Sequence, residues 1–216
     1  MEILNFLLHL LKDPLVTLQE LLGVYDTLTY AIIALIIFVE TGLIVMPILP
    51  GDSLLFAAGL LAASTGKLDI TILIPLLICA ALLGDNVNYW VGKNFSQIIK
   101  TRERILFFKH EYITQTEAFY AQHGGKSVIL ARFMPIVRTI APFVAGAGSM
   151  PYPKYISFCV LGAVLWVTSL TMLGYFLGSN TWVKLNFEKV VLSIVFLSIL
   201  PMLWQLVKVK FLSRNV

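Results

Sequence analysis

The sequence predicts an all-α polytopic membrane protein, and three observations predict it. Hydrophobic residues make up 58% of the 216 residues and charged residues only 13%; with mean hydropathy at +0.86, too little polar surface remains for a water-soluble domain. Two largely apolar stretches, 70–92 and 154–178, are each long enough to cross a bilayer, which takes about 20 residues. Two others, 38–56 and 128–148, are broken by proline and glycine and carry charge: Glu40 and Asp52 in the first, Arg132 and Arg138 in the second. An ionised side chain at the bilayer centre costs at least ~2.5–3.5 kcal/mol, so these four need partners, water or a task.

The formal net charge of +4 does not point to nucleic acid, because the basic residues are scattered between apolar spans and the aromatics lie within those spans. Cys79 and Cys159 sit in apolar runs without ligand spacing and are expected to pack as small hydrophobes. His110 and His123 stand alone. No metal or other cofactor is expected.

Residues 1–26 are apolar but interrupted by Lys12, Asp13 and Pro14. They lack the basic start and small-residue cleavage site of a signal peptide and are expected to stay on the mature protein. Leu4, Leu7, Leu8 and Leu11 recur at helical spacing, which predicts an interfacial helix with a second short helix after Pro14. Residues 27–63 are too long for one crossing and too short for two. Pro47, Pro50 and Gly51 break the helix there, and Asp52 is placed to cap the next one. The pattern predicts a re-entrant hairpin, whose turn must be buried in protein or line a wet cavity.

The span at 70–92 turns polar on one side in its second half. Asp85, Asn88 and Tyr89 lie three or four apart and share an inward face, and Lys93 can snorkel to the headgroups. Residues 94–126 are the one long polar connection, and their excess of Lys and Arg marks them as a cytoplasmic loop with amphipathic helices on the membrane surface. A second re-entrant hairpin is predicted at 127–148, broken by Pro135 and Pro142. Further spans follow at 154–178 and 189–207. Lys208, Lys210 and Arg214 place the C-terminus in the cytoplasm. All of this belongs to one membrane domain.

An internal repeat is visible in the layout. The first span ends YWVG at 89–92 and the later one YFLG at 175–178; at that offset Asp52 falls on Arg138. The two spans run in opposite senses, as in inverted repeats whose site lies between two broken helices. Chance likeness between apolar segments is the alternative.

The motifs FVETGL around Glu40, ILPGDSLLF around Asp52, GDNVNYWVGK with Asp85 and Tyr89, HGGKSVILARFMPIVRT with Arg132 and Arg138, and APFVAGAG together resemble the bacterial DedA family. That family shares its domain with the eukaryotic VTT proteins, and the likeness, spanning nearly the whole chain, is greatest to the subgroup that gives the family its name. Lys93 stands where many members have arginine, which keeps the charge and gives up a bidentate contact. The resemblance implies a lipid transporter of the bacterial inner membrane that returns undecaprenyl phosphate across the bilayer in dependence on the proton motive force. It implies a polyprenyl-phosphate or phospholipid substrate, protons and membrane lipids as partners, with a homodimer as an option. It also implies that Glu40, Asp52, Arg132 and Arg138 are the functional residues.

On that footing Arg132 and Arg138 are expected to bind phosphate through their planar forks. Glu40 and Asp52 are expected to hold the arginines in the empty site and to take up protons. Asp85, with Asn88, Tyr89 and Lys93, forms a secondary polar site, its carboxylate serving as a structural acceptor or a proton relay. Gly51, Gly146 and Gly148 are expected to allow tight turns or close helix approach. Ion pairs that merely lock the hairpins together are the plainer reading of the four charges. A lipid phosphatase would want a nucleophile and a proton-transfer group, usually histidine, beside the cationic site; neither charged stretch has one nearby, so the chain is not expected to be an enzyme. The remaining rivals are a proton-coupled exchanger of small cations or solutes, a phospholipid scramblase, and a scaffold that would tolerate loss of the arginines.

Overall fold

A computed structural model describes residues 2–42, 51–101, 104–105, 108–109, 126–133, 135–148, 150–186, 189–190 and 193. Two short helices come first, α1 (Glu2–Lys12) and α2 (Pro14–Tyr25). The break between them is chemical: Asp13 Oδ1 accepts a hydrogen bond from the Val16 amide, and Pro14, with no N–H to lose, opens α2. Leu10, Leu15, Leu18 and Leu22 are buried in the main core, whereas Leu8 and Leu11 of the expected interfacial face stay exposed.

The first broken stretch forms α3 (Leu28–Gly42) and α4 (Gly51–Thr65). Its turn, with Pro47 and Pro50, lies outside the described residues. Every residue from Gly51 to Ala62 is buried, as suits a helix that is apolar all round. Asp69 starts α5 (Ile70–Thr101): its Oδ1 accepts from the Thr71 amide at 2.8 Å and the Thr71 hydroxyl at 2.6 Å. The helix runs past the expected end of the span at residue 92, because residues 93–101 contain neither proline nor glycine to stop it. Of the expected amphipathic loop at 94–126, the described part beyond α5 is a two-residue antiparallel ribbon, β1 (Arg104–Ile105) with β2 (Phe108–Lys109), and the first residue of the next helix.

The second broken stretch forms α6 (Lys126–Arg132) and α7 (Pro135–Ala147). Pro135 opens α7, where its fixed φ and missing N–H cost nothing. A long helix α8 (Tyr152–Leu177) follows, then a short α9 (Thr181–Leu185) capped by Asn180. Residues 70–94 of α5 and the whole of α8 are each long and apolar enough to cross a membrane. The expected span at 189–207 lies outside the described residues apart from Lys189, Val190 and Ser193.

The helices pack crosswise. α4 of the first broken pair lies along α8, and α7 of the second lies along α5; α3 in turn lies along α5, and α6 along α8. Glycines permit both close crossings. A Cβ at Gly59 or Gly174 would strike the backbone carbonyl of Thr171 or Phe56, and one at Gly146 or Gly92 that of Tyr89 or Phe143. Small residues of this kind let membrane helices approach backbone to backbone. Leu83, Val87, Leu161, Leu165 and Phe176 remain exposed on the outer faces of α5 and α8; Cys79 is exposed as well, and does not pack as the sequence led one to expect.

Candidate functional site

The breaks bring the charged residues together. Glu40 lies in the last turn of α3, Asp52 in the first turn of α4, Arg132 ends α6 and Arg138 occupies the first turn of α7. With Asp85 from the middle of α5 they form an internal ionic centre in which no member is more than 9% exposed. Burial of this kind is tolerated only with close, hydrogen-bonded partners.

Arg138 is gripped from two sides. Its Nη2 donates to Glu40 Oε1 and its Nη1 to Asp52 Oδ1, so one guanidinium spans both arms of the first broken pair. Asp52 Oδ1 also accepts from the indole Nε1–H of Trp166, at 2.8 Å. Glu40 Oε2 is buried against Gly51, whose amide approaches it without a hydrogen bond of good geometry. A side chain at position 51 would collide with that carboxylate, and this is the close approach its glycine serves.

Arg132 does not share those acids. Its Nη2 donates to Asp85 Oδ2, with Cys159 Sγ 3.4 Å from the same nitrogen and 3.3 Å from the same oxygen. The expectation that Glu40 and Asp52 hold both arginines is therefore corrected: they hold Arg138 alone. The cause is placement, since α6 runs along α8 on the far side of the break from α7. Cys159 is likewise more than a packing hydrophobe, being in contact with an ion pair.

The expected secondary polar group divides. Asp85 joins the centre. Asn88 Nδ2 donates to the Thr41 carbonyl at 3.2 Å and the Thr139 carbonyl at 2.7 Å, tying α3 to α7. Tyr89 stacks on Tyr155 with ring centroids 4.4 Å apart and donates its hydroxyl to the Met150 carbonyl, while the Tyr155 hydroxyl donates to the Asp85 carbonyl. Lys93 is exposed, its Nζ 4.7 Å from the centroid of the Trp90 ring. Pro142, expected to break the second stretch, does not: it lies inside α7, which stays helical from Pro135 to Ala147, as proline is tolerated in a membrane helix whose neighbours satisfy the freed backbone. It lines a small cavity with Thr41, Asp85, Val128, Arg132, Arg138, Ala141 and Cys159; the cavity has room for about one water.

Trp166 escaped the sequence reading, although it carried a signal. An indole in the middle of an apolar span has an N–H that must find an acceptor. Besides its bond to Asp52, its ring faces both guanidiniums, with Cζ of Arg138 at 4.9 Å and Cζ of Arg132 at 5.8 Å from the centroid. Among the described residues no group of three His, Cys, Asp or Glu is placed to hold a metal ion.

The fold and site define a helical membrane protein with an internal ionic centre at the ends of broken helices. The VTT domain family model matches residues 49–176, which takes in Asp52, Asp85, Arg132, Arg138 and Trp166. Protein DedA of Escherichia coli K12 is 43% identical over 97% of this chain and 96% of its own length. An uncharacterized membrane protein of Mycobacterium leprae is 46% identical over 78% of this chain and 75% of its own. Inner membrane protein YghB of Escherichia coli K12 is 31% identical over 81% and 78%. The chain belongs to the DedA family of VTT-domain membrane proteins. No solved structure matches it significantly.

Proposed function

We propose that this protein is a transporter, not an enzyme, which moves an anionic lipid across the bacterial cytoplasmic membrane. Undecaprenyl phosphate in carrier-lipid recycling, driven by the proton motive force, is the specific substrate and coupling that the family resemblance favours. The observation that carries the proposal is the Arg138 fork held between Glu40 and Asp52 at the broken ends of two helix pairs. A guanidinium matches phosphate oxygens bidentately. Here each arginine is already balanced by carboxylate, so an arriving phosphate exchanges with an acid instead of meeting a bare buried charge. The N-termini of α4 and α7 point their positive dipole ends into the same region.

The same reading makes the two broken pairs re-entrant hairpins, related as an inverted repeat within one multi-pass domain whose C-terminus is cytoplasmic. Crosswise packing of α4 on α8 and of α7 on α5, each with its own glycine crossing, supports this arrangement. Proton coupling is assigned to Glu40 and Asp52, which would take up protons as phosphate displaces them from Arg138. Three acids against two arginines, Glu40, Asp52 and Asp85 with Arg132 and Arg138, also suit a proton-coupled exchanger of small cations, and that is the second reading.

The test is transbilayer movement in proteoliposomes of a labelled polyprenyl phosphate beside a labelled ordinary phospholipid, with and without a pH gradient. Gradient-sensitive movement of the polyprenyl phosphate alone, lost in Glu40→Gln and Arg138→Ala, is the expected result. Equal, gradient-independent movement of both lipids would make the protein a scramblase. Movement of neither, with proton flux on adding a cation, would establish the exchanger.

A further inference from the structure

We propose that Trp166 is a positioning residue that lets the Arg138–Asp52 pair open toward an incoming phosphate. The inference rests on the anionic-lipid reading above and assigns a part in it to a residue outside the four charged ones. Trp166 is 1% exposed in the middle of α8. It touches both members of one ion pair with different parts of the same ring system: the Nε1–H donates to Asp52 Oδ1 at 2.8 Å, and the face lies 4.9 Å from the guanidinium carbon of Arg138. The centroid of the same ring lies 5.8 Å from the guanidinium carbon of Arg132.

This geometry solves a specific problem. A buried pair cannot part cheaply, because each ion is left uncompensated in a low-dielectric interior. Arginine drawn from carboxylate to phosphate would strand Asp52. The indole N–H keeps a donor on Asp52 after Arg138 leaves, and the negative face of the ring stabilises a cation while it moves. Both guanidiniums lie beside this one ring, so a phosphate bridging them meets two cations already gathered around it. A tryptophan that only filled space would need neither the N–H nor the alignment of both arginines.

The experiment uses the full chain in detergent, with farnesyl phosphate as probe and farnesol as the uncharged control, binding being measured by calorimetry. Trp166→Phe keeps an aromatic face and removes the N–H. It is expected to raise Kd for farnesyl phosphate at least about tenfold, the lower end of what one hydrogen bond to a charged group is worth. In an Asp52→Ala background, where that bond has no acceptor, the same change should move Kd less than about twofold. A residue with a purely structural role would give the same effect in both backgrounds, and that outcome overturns the inference, as does an unchanged Kd in Trp166→Phe alone. Where a variant does not fold, the emission of Trp166 decides, in a chain whose other tryptophans, Trp90, Trp182 and Trp204, are replaced by phenylalanine. Farnesyl phosphate but not farnesol should shift it, and no shift overturns the inference. If wild type itself fails to bind farnesyl phosphate, the anionic-lipid reading falls and the inference with it; binding by wild type without dependence on Trp166 removes the inference alone.

Discussion

Asp52 and Arg138 stand 86 residues apart in the chain and meet as a buried ion pair between the first turns of α4 and α7. The separation equals the offset between YWVG and YFLG. Under the inverted-repeat proposal these are corresponding positions of the two halves, and corresponding positions touch only at the axis that relates them. On that proposal the pair marks the axis, and the two halves carry opposite charge where they meet. An acid in one half and a base in the other lets each complete its partner.

Removing Arg138 strands two acids. Arg138→Ala is expected to lower stability by roughly 3–5 kcal/mol, the cost of breaking a buried pair by deleting one partner. The triple variant Glu40→Gln, Asp52→Asn, Arg138→Met, which deletes all three charges, should recover most of that loss while remaining inactive in transport. Thermal melts in detergent check the first part and proteoliposome flux the second. A triple variant no more stable than Arg138→Ala would show that shape, not charge, holds the site.

Arg132 and Asp85 form a second unit, and a double-mutant cycle reports it. Arg132→Ala and Asp85→Ala should each destabilise, and the double variant should fall short of their sum by about 0.5–3 kcal/mol. The same cycle between Arg132 and Glu40, which share no contact, should close to within a few tenths. Full additivity of Arg132 with Asp85 would contradict the pairing.

The glycines divide cleanly by what surrounds them. Gly59→Ala and Gly146→Ala would drive a Cβ into the backbone of a neighbouring helix, so each is expected to cost about 1–3 kcal/mol, as overpacking does. Gly23, with nothing within 4 Å of the added atom and a helical position in α2, should gain roughly 0.5–1 kcal/mol on replacement by alanine. Melting temperatures of the three variants, compared side by side, test the contrast.

Much of this was legible in the sequence. The breaks before Gly51 and Pro135, two helices long and apolar enough to cross a membrane, and the four charged residues at the breaks follow from local chemistry, because proline, glycine and charge act on the segment that carries them; Pro142 shows the limit, since it lies inside α7 without ending it. Partner choice did not follow. That Arg132 takes Asp85 and leaves Glu40 and Asp52 to Arg138 depends on α6 lying along α8, a tertiary fact with no local signature. Asp85, Asn88 and Tyr89 do share a face, as their spacing implies, yet one joins the ionic centre, one ties α3 to α7 and one stacks on Tyr155. The span at the start of α5 ends at Asn94, close to the expected residue 92, while the helix itself continues to Thr101, since a polar run of adequate helix formers continues a helix until something breaks it.

Acid sensitivity at the start of α5 has a worked sign. Hydrogen bonds from the Thr71 hydroxyl and amide hold the Asp69 carboxyl below its ordinary value of 3.8. A depressed value in the folded state means that the contribution is full above that ordinary value and is lost as pH falls through the folded one. Thr71→Val, which removes one donor, should therefore lower the melting temperature slightly and by a constant amount at neutral and mildly acidic pH. The difference from wild type should vanish only in strong acid. A gap that varied between neutral and mildly acidic pH would count against this assignment.

Glu40 and Asp52 flank one arginine but are not equivalent, and substitution should separate them. Asp52 Oδ1 receives two donors, Arg138 Nη1 and Trp166 Nε1, whereas Glu40 receives Arg138 at Oε1 and, among the described residues, only the poorly aligned Gly51 amide at its buried Oε2. Neutralising Asp52 weakens two charge-assisted bonds, each worth about 1.5–3 kcal/mol; neutralising Glu40 weakens one and leaves Asp52 to balance Arg138. Asp52→Asn is accordingly expected to melt several degrees below Glu40→Gln, with Glu40→Gln close to wild type. In proteoliposomes Glu40→Gln should then be the cleaner probe of coupling, folded and able to bind lipid phosphate but insensitive to the pH gradient. Equal melting temperatures for the two variants would mean that the Trp166 bond adds nothing to the pair. A Glu40→Gln protein whose transport still followed the gradient would move the proton site to Asp52 or to Asp85.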